Sequence, residues 1–156
     1  MIERQPTSRS CFVCGRDNPV GLKARWTADR AAGEVRAELS IPEPFNGYPG
    51  VAHGGIVAAL LDEAMARSLL LAGSFEDLLV TARMEVAFRL PTPTRTPVAV
   101  VARVKRRSGA RAQAEAELRL ADGTVTAHAE ALLAKPPPEV AAAWAAERPF
   151  WRLDPE

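Results

Sequence analysis

Residues Ile56 to Ala72 form the one stretch of helical length, and thirteen of its seventeen residues are apolar. A helix that is apolar on most sides must be enclosed by the rest of the chain. The enclosing segments alternate with a period of two, which is the strand period. Leu22, Ala24 and Trp26 alternate with polar residues, and Val35, Ala37, Leu39 and Ile41 follow after a turn at Asp29 to Gly33. Pro42 and Pro44 end that hairpin. Beyond the helix, Gly73 supplies a stop. Further inward faces then read Met84-Val86-Phe88-Leu90, Val98-Val100-Ala102-Val104, Ala112-Ala114-Ala116-Leu118-Leu120 and Val125-Ala127-Ala129-Ala131. Asp122-Gly123 is a two-residue hairpin signal. The pattern predicts an α+β fold, with an antiparallel sheet wrapped around one long helix. Inward alanines on the last strands let that helix lie close.

The domain is expected at residues 22–135. An irregular N-terminal arm precedes it at 1–21, and a tail with a short helix near Glu139 to Ala146 follows at 136–156. Pro136 to Pro138 stops the sheet. The chain has 156 residues, 47% of them apolar and 25% charged, as in one globular domain. A net charge of +1 gives no global field for nucleic acid or an acidic membrane, so neither is an expected partner. No apolar run approaches the roughly 20 residues of a membrane span. The first ten residues lack the apolar region of a secretory leader, and the cytoplasm is the expected compartment.

Asp62 carries the chemistry on the helix. Its own-face neighbours Ala58, Met65, Ala66 and Leu69 are apolar, so an acid there is either satisfied by the backbone or used. A desolvated carboxylate can activate water or attack a carbonyl. Glu63, about 100° further round, pairs with Arg67 at i,i+4 and is assigned to a solvated rim face. His53-Gly54-Gly55 precedes the helix. Glycine there admits a ligand close to the backbone, and the first unpaired N–H groups can polarise a carbonyl oxygen. His128, on an outward strand face, is read as a surface residue.

The segment His53-Gly54-Gly55-Ile56-Val57-Ala58-Ala59-Leu60-Leu61-Asp62 resembles the H-G-G-x-x-x-x-L-x-[DE] signature of hotdog-fold acyl-CoA thioesterases. More narrowly it resembles the phenylacetic-acid-degradation (PaaI-like) branch. The strand Thr81 to Pro91 and the Asp122-Gly123 hairpin are similar to that family's elements, and the arm Cys11 to Leu22 resembles an extension found in a subset. The likeness covers about residues 11–135.

The resemblance implies a hotdog fold, a homodimer or a dimer of dimers paired edge to edge, and acyl-CoA as substrate. Gly55 would give its N–H to the thioester carbonyl, with Gly54 beside it. Asp62 of the partner would be base or nucleophile, His53 would shape the site or touch the thioester, and Thr81 would help orient water. Asn46 stands seven residues before His53, where some relatives have an asparagine six before. Arg103, Lys105, Arg106, Arg107 and Arg111 flank the Ser108-Gly109 turn. They are either a solvated hairpin tip or, as in relatives, a cradle for coenzyme A phosphates. Phe45, Tyr48, Met65, Leu69 and Phe88 are candidate acyl-tunnel residues. A non-catalytic acyl-CoA-binding hotdog protein is the alternative. A hydratase would need an Asp/His pair that neither histidine's context supplies.

Cys11 and Cys14 are half of a four-ligand zinc site. With no second cysteine pair, no metal is expected, and no cofactor is called for. A reducing compartment disfavours a disulfide, so the pair reads as small apolar anchors.

Overall fold

The computed structural model describes residues 1–71 and 74–155. Nine strands are present among the described residues: β1 (Ile2–Arg4), β2 (Trp26–Asp29), β3 (Glu34–Ser40), β4 (Asn46–Tyr48), β5 (Val51–Ala52), β6 (Val80–Phe88), β7 (Pro97–Ser108), β8 (Arg111–Leu120) and β9 (Val125–Ala134). Seven form one sheet in the order β1-β2-β3-β7-β8-β9-β6, with every neighbouring pair antiparallel. β4 and β5 form a separate small hairpin. Helix α1 (Gly54–Ser68) lies against β7 and β8 first, and also against β9, β3 and β6.

The alanines explain that placement. Ala114 pairs with Ala131, Ala116 with Ala129 and Ala102 with Ala116, and all five are buried under α1. Val57, Leu60, Leu61, Ala64 and Met65 descend onto this floor of small side chains. No helix among the described residues is long and apolar enough to cross a membrane.

Three boundaries differ from the sequence pattern. α1 starts at Gly54, because His53 already caps it, and ends at Ser68. There the backbone tightens, with Leu69 N–H donating to Ala66 O and Leu70 N–H to Arg67 O, while Ser68 Oγ donates to Met65 O at 2.7 Å. The stop assigned to Gly73 lies outside the described residues. β2 begins at Trp26, four residues later than the alternation suggests. Lys23 takes a left-handed φ of 58°, and Leu22 and Ala24 donate their N–H groups to Phe12 O and Val13 O of the arm.

The arm is also more regular than expected. β1 extends the sheet beside β2, and the Lys23 ammonium is clasped by the carbonyls of Gly15, Arg16 and Asn18 at 2.5–3.0 Å. The tail begins with helix α2 (Pro138–Trp144) and then returns to the arm. Thr7 bridges Arg152, Arg9 pairs with Glu147 at 2.6 Å, and Arg16 donates to Phe150 O.

The alanine floor leaves little room for larger residues. Ala116→Leu is expected to cost about 1–3 kcal/mol through overpacking beneath α1, read as a lower urea midpoint with an unchanged slope.

Candidate functional site

The loop before α1 folds back on itself through β4 and β5. His53 N–H donates to Phe45 O at 2.9 Å. A Cβ on Gly47 would fall 3.1 Å from His53 Cα, so a larger residue there would require the loop to give by a few tenths of an ångström. His53 adopts φ −58° and ψ 135° at the N-cap, and its carbonyl accepts from Ile56 and Val57. Its Nδ1 accepts the Gly55 N–H at 2.9 Å. An imidazole nitrogen thus caps the helix as an asparagine or aspartate oxygen would, on the N–H expected to meet the thioester carbonyl. Because Nδ1 accepts, the proton of the neutral ring sits on Nε2. The Gly54 N–H, by contrast, has no acceptor among the described residues. Phe88, 57% exposed, stands beside it: a Cβ on Gly54 would meet the Phe88 ring at 3.5 Å.

Asp62 sits half-buried further along α1. Thr81, on β6, donates its hydroxyl to Asp62 Oδ1 at 2.5 Å, so the structure brings these two residues together. Asp62 Oδ2 accepts no hydrogen bond among the described residues. Between Gly54 and Asp62 the helix rises about 12 Å, so the open N–H and the acid of one chain are far apart. β6 runs antiparallel to α1, with Thr81 beside Asp62 and Phe88 beside Gly54. Asn46 is half-buried beside the His53 loop, where its Oδ1 accepts from Thr94 at 2.8 Å. Sequence reasoning gave no hint of Thr94, since nothing local links it to Asn46.

The hairpin cations divide into two groups. Arg103 pairs with Glu115 at 2.9 Å, Lys105 with Glu130 at 2.8 Å, and Arg107 with Asp77 at 3.0 Å. Arg107 thus has an acidic partner at the surface. Arg106 and Arg111 are exposed and have no ion pair among the described residues. Of the tunnel candidates, Met65 and Leu69 belong to the core, whereas Tyr48 and Phe88 are exposed near the helix start.

The largest departure concerns Glu63 and Arg67. Their pairing at 2.8 Å is present, but Arg67 is only 2% exposed, so this is not a solvated face. The arm and tail cover it. Arg67 Nη2 donates to Cys14 Sγ at 2.9 Å, Nη1 donates to Pro6 O, and the guanidinium lies 4.5 Å from the Trp151 ring centre. The i,i+4 spacing could not reveal this, because the covering residues come from both ends of the chain.

Residues 49–127, just over half of the chain, match the thioesterase superfamily. The chain belongs to that superfamily. The solved structure of a thioesterase superfamily protein designated RHA08564 is similar at 26% identity and a TM-score of 0.74. That likeness covers 81% of this chain and 61% of the other, so this chain spans less than two thirds of that relative's length. A putative thioesterase from Ralstonia eutropha JMP134, described as phenylacetic acid degradation-related, is 24% identical with a TM-score of 0.65, covering 72% of this chain and 85% of its own. The Escherichia coli PaaI protein of the phenylacetic acid degradation operon is 17% identical with a TM-score of 0.60, covering 66% and 76%. These two likenesses show the hotdog-type fold. A comparison with curated proteins gives no match. Thioesterase superfamily membership fits an α+β fold with one helix on a large antiparallel sheet, as the expected architecture had it.

Removing the Arg67 charge would strand Glu63, whose carboxylate is 20% exposed, without its cation. Arg67→Met is expected to lower stability by about 3 kcal/mol, measured by urea unfolding, and to lose the Trp151 contact.

Proposed function

We propose that this superfamily member is a PaaI-like acyl-CoA thioesterase whose site is shared between two copies of the chain. The observation that carries the reading is Asp62. It is a half-buried carboxylate with one oxygen fixed by Thr81 and the other open. Oδ2 takes a proton from water, whose oxygen adds to the thioester carbon. The C–S bond then breaks, and the departing thiolate is protonated to the free thiol. Thr81 keeps Oδ1 occupied, so Oδ2 faces the water. The thioester carbonyl oxygen accepts the open Gly54 N–H at the positive end of α1, with His53 and Asn46 walling the site.

One chain cannot supply both groups at once across about 12 Å. The free edge of β6 suggests how two chains do so. It is nine residues long and has no strand beside it on its outer side among the described residues, which makes it a template for pairing. A two-fold antiparallel pairing centred on Met84 and Glu85 sets Thr81 opposite the partner subunit's Phe88. Asp62 thereby approaches the partner subunit's Gly54. The exposed Phe88 and Tyr48 would be covered in the same step.

Complementation tests this arrangement. Gly54→Pro removes the N–H at the first helical position, where proline is tolerated, and the ψ of His53 suits a following proline. Gly54→Pro is expected to lose about 10²–10³-fold in thioester hydrolysis, and Asp62→Asn about 10²–10⁴-fold. Mixed after dissociation, half of the dimers are hybrids with one intact site of two, so about a quarter of wild-type activity returns. No return, with subunit exchange shown independently, would mean that each site lies within one chain. No hydrolysis of any acyl-CoA by the wild type would leave the binding-protein alternative.

Arg106 and Arg111 are proposed to hold the phosphates of coenzyme A. Reversing both to glutamate is expected to raise KM for an acyl-CoA and to leave KM for the corresponding pantetheine thioester unchanged. An equal rise for both substrates excludes the phosphate role.

A further inference from the structure

The arm holds a second cluster of reactive groups, on the opposite side of Glu63 from Asp62. The turn carrying Cys11 and Cys14 closes through Gly15, whose N–H donates to Cys11 O at 2.8 Å. A Cβ on Gly15 would fall 2.4 Å from that oxygen, so only glycine closes it. The two sulfurs and a Glu63 carboxylate oxygen lie within 4.8 Å of one another. Cys11 Sγ is 3.7 Å from Glu63 Oε2 and Cys14 Sγ is 3.4 Å from Oε1. Residues three apart in a turn have Cα atoms within about 7 Å, which suits a disulfide without backbone movement.

Arg67 brings a positive charge to the cluster. Its guanidinium touches both Cys14 Sγ and Glu63 Oε1, at 2.9 and 2.8 Å. A divalent cation between those ligands would meet a like charge at hydrogen-bond distance. Arg67 instead stabilises a thiolate on Cys14. A hydrogen bond from Cys11, aided by Arg67, pulls the Cys14 thiol down to about 7 against the opposing effects of burial and Glu63. The same Cys11–Cys14 bond, burial and Glu63 push the Cys11 thiol up. Cys11 and Cys14 are among the residues around a groove of about 350 Å³ walled by Trp144 and Trp151. Cys11 is half-buried, but Cys14 has no exposed surface. Cys14 is therefore closed in this conformation, and an oxidant reaches its sulfur only when the arm or tail moves, a small oxidant needing the smaller movement.

We propose that Cys11 and Cys14 form a hydroperoxide-oxidisable dithiol, with Cys14 as the attacking sulfur and Cys11 as the resolving one. The Cys14 thiolate attacks one oxygen of hydrogen peroxide. The O–O bond breaks, and hydroxide leaves as water after taking a proton. Cys14 is then a sulfenic acid. Cys11 sulfur attacks the Cys14 sulfur, the S–O bond breaks, and the Cys11 proton leaves with that hydroxyl as a second water. Two thiols lose two electrons in all, and one peroxide becomes two waters. A disulfide formed this way and reversed by thiols is of the transient kind that a reducing compartment permits. Oxidation removes the sulfur partners of Glu63 and Arg67, and the Trp151 contact of Arg67 reports the change.

The test uses the full chain, reduced and freed of reductant, exposed in parallel to hydrogen peroxide and to oxidised glutathione. No readout depends on thioester hydrolysis. With peroxide, titratable thiols are expected to fall from two to none, the intact mass to drop by two hydrogens, and tryptophan emission to shift. Dithiothreitol is expected to reverse all three. Glutathione disulfide is expected to react at least roughly tenfold more slowly, because the larger molecule needs a wider opening over Cys14. In Cys11→Ser, dimedone is expected to trap a sulfenic acid on Cys14, and in Cys14→Ser, Cys11 is expected to stay reduced. The proposal is overturned if the dimedone adduct forms on Cys11, or if glutathione adducts form as fast as peroxide acts. It is equally overturned if the reduced protein carries one zinc ion per chain that shields both thiols.

Discussion

The close seat of α1 on the sheet governs everything built around it. Ala102, Ala114, Ala116, Ala129 and Ala131 give the helix a floor without side chains beyond Cβ. The helix axis therefore settles at a distance set by its own leucines and Met65. From that position Asp62 reaches Thr81 on β6, and Gly54 comes beside Phe88 at the other end of the same strand. A helix raised by even one methyl layer would separate both pairs, because cores answer to volume changes of that size. The small residues thus do more than save space, since they fix where the two ends of the helix meet the free edge of β6.

The period-two segments and the apolar helix were legible because each is a local pattern that tertiary packing reinforces. Thr81 was singled out only through the family likeness, and its bond to Asp62 was not legible, since nothing in residues 62 and 81 by themselves requires contact. Three other features were not legible. A histidine at the N-cap carries an acceptor that can take an N–H from its own helix, and composition does not reveal which of the two glycines it will choose. Arg107 looked equivalent to Arg106, yet the register places it on the side of the hairpin where Asp77 waits. The i,i+4 pair Glu63–Arg67 looked solvated because the residues that bury it lie some fifty positions earlier and eighty later in the chain.

That burial raises a question of energetics. An apolar residue at position 67 would fill the same space without the desolvation cost of a guanidinium. It could not, however, give hydrogen bonds to Glu63, Cys14 and Pro6 while lying against Trp151. Those bonds are directional, and each fails if the arm or tail shifts by an ångström or so. A purely apolar cover would tolerate sliding. The arginine fixes the register of two chain ends on one helix face, and Lys23, clasped by three carbonyls, fixes the arm from its other side.

Asp62 and Glu63 are consecutive, and an α-helix turns about 100° between them. One acid consequently faces the β6 edge and a hydroxyl, while the next faces two sulfurs and a guanidinium. The same backbone step that separates them also ties them together. Any rotation of α1 that improved the fit of Glu63 to an altered sulfur pair would carry Asp62 against Thr81 in the same sense. The alanine floor resists such a rotation, since Leu60, Leu61 and Met65 are locked into it on the remaining face. The helix can therefore hold two acids in unrelated surroundings one residue apart, because its third face is rigidly packed.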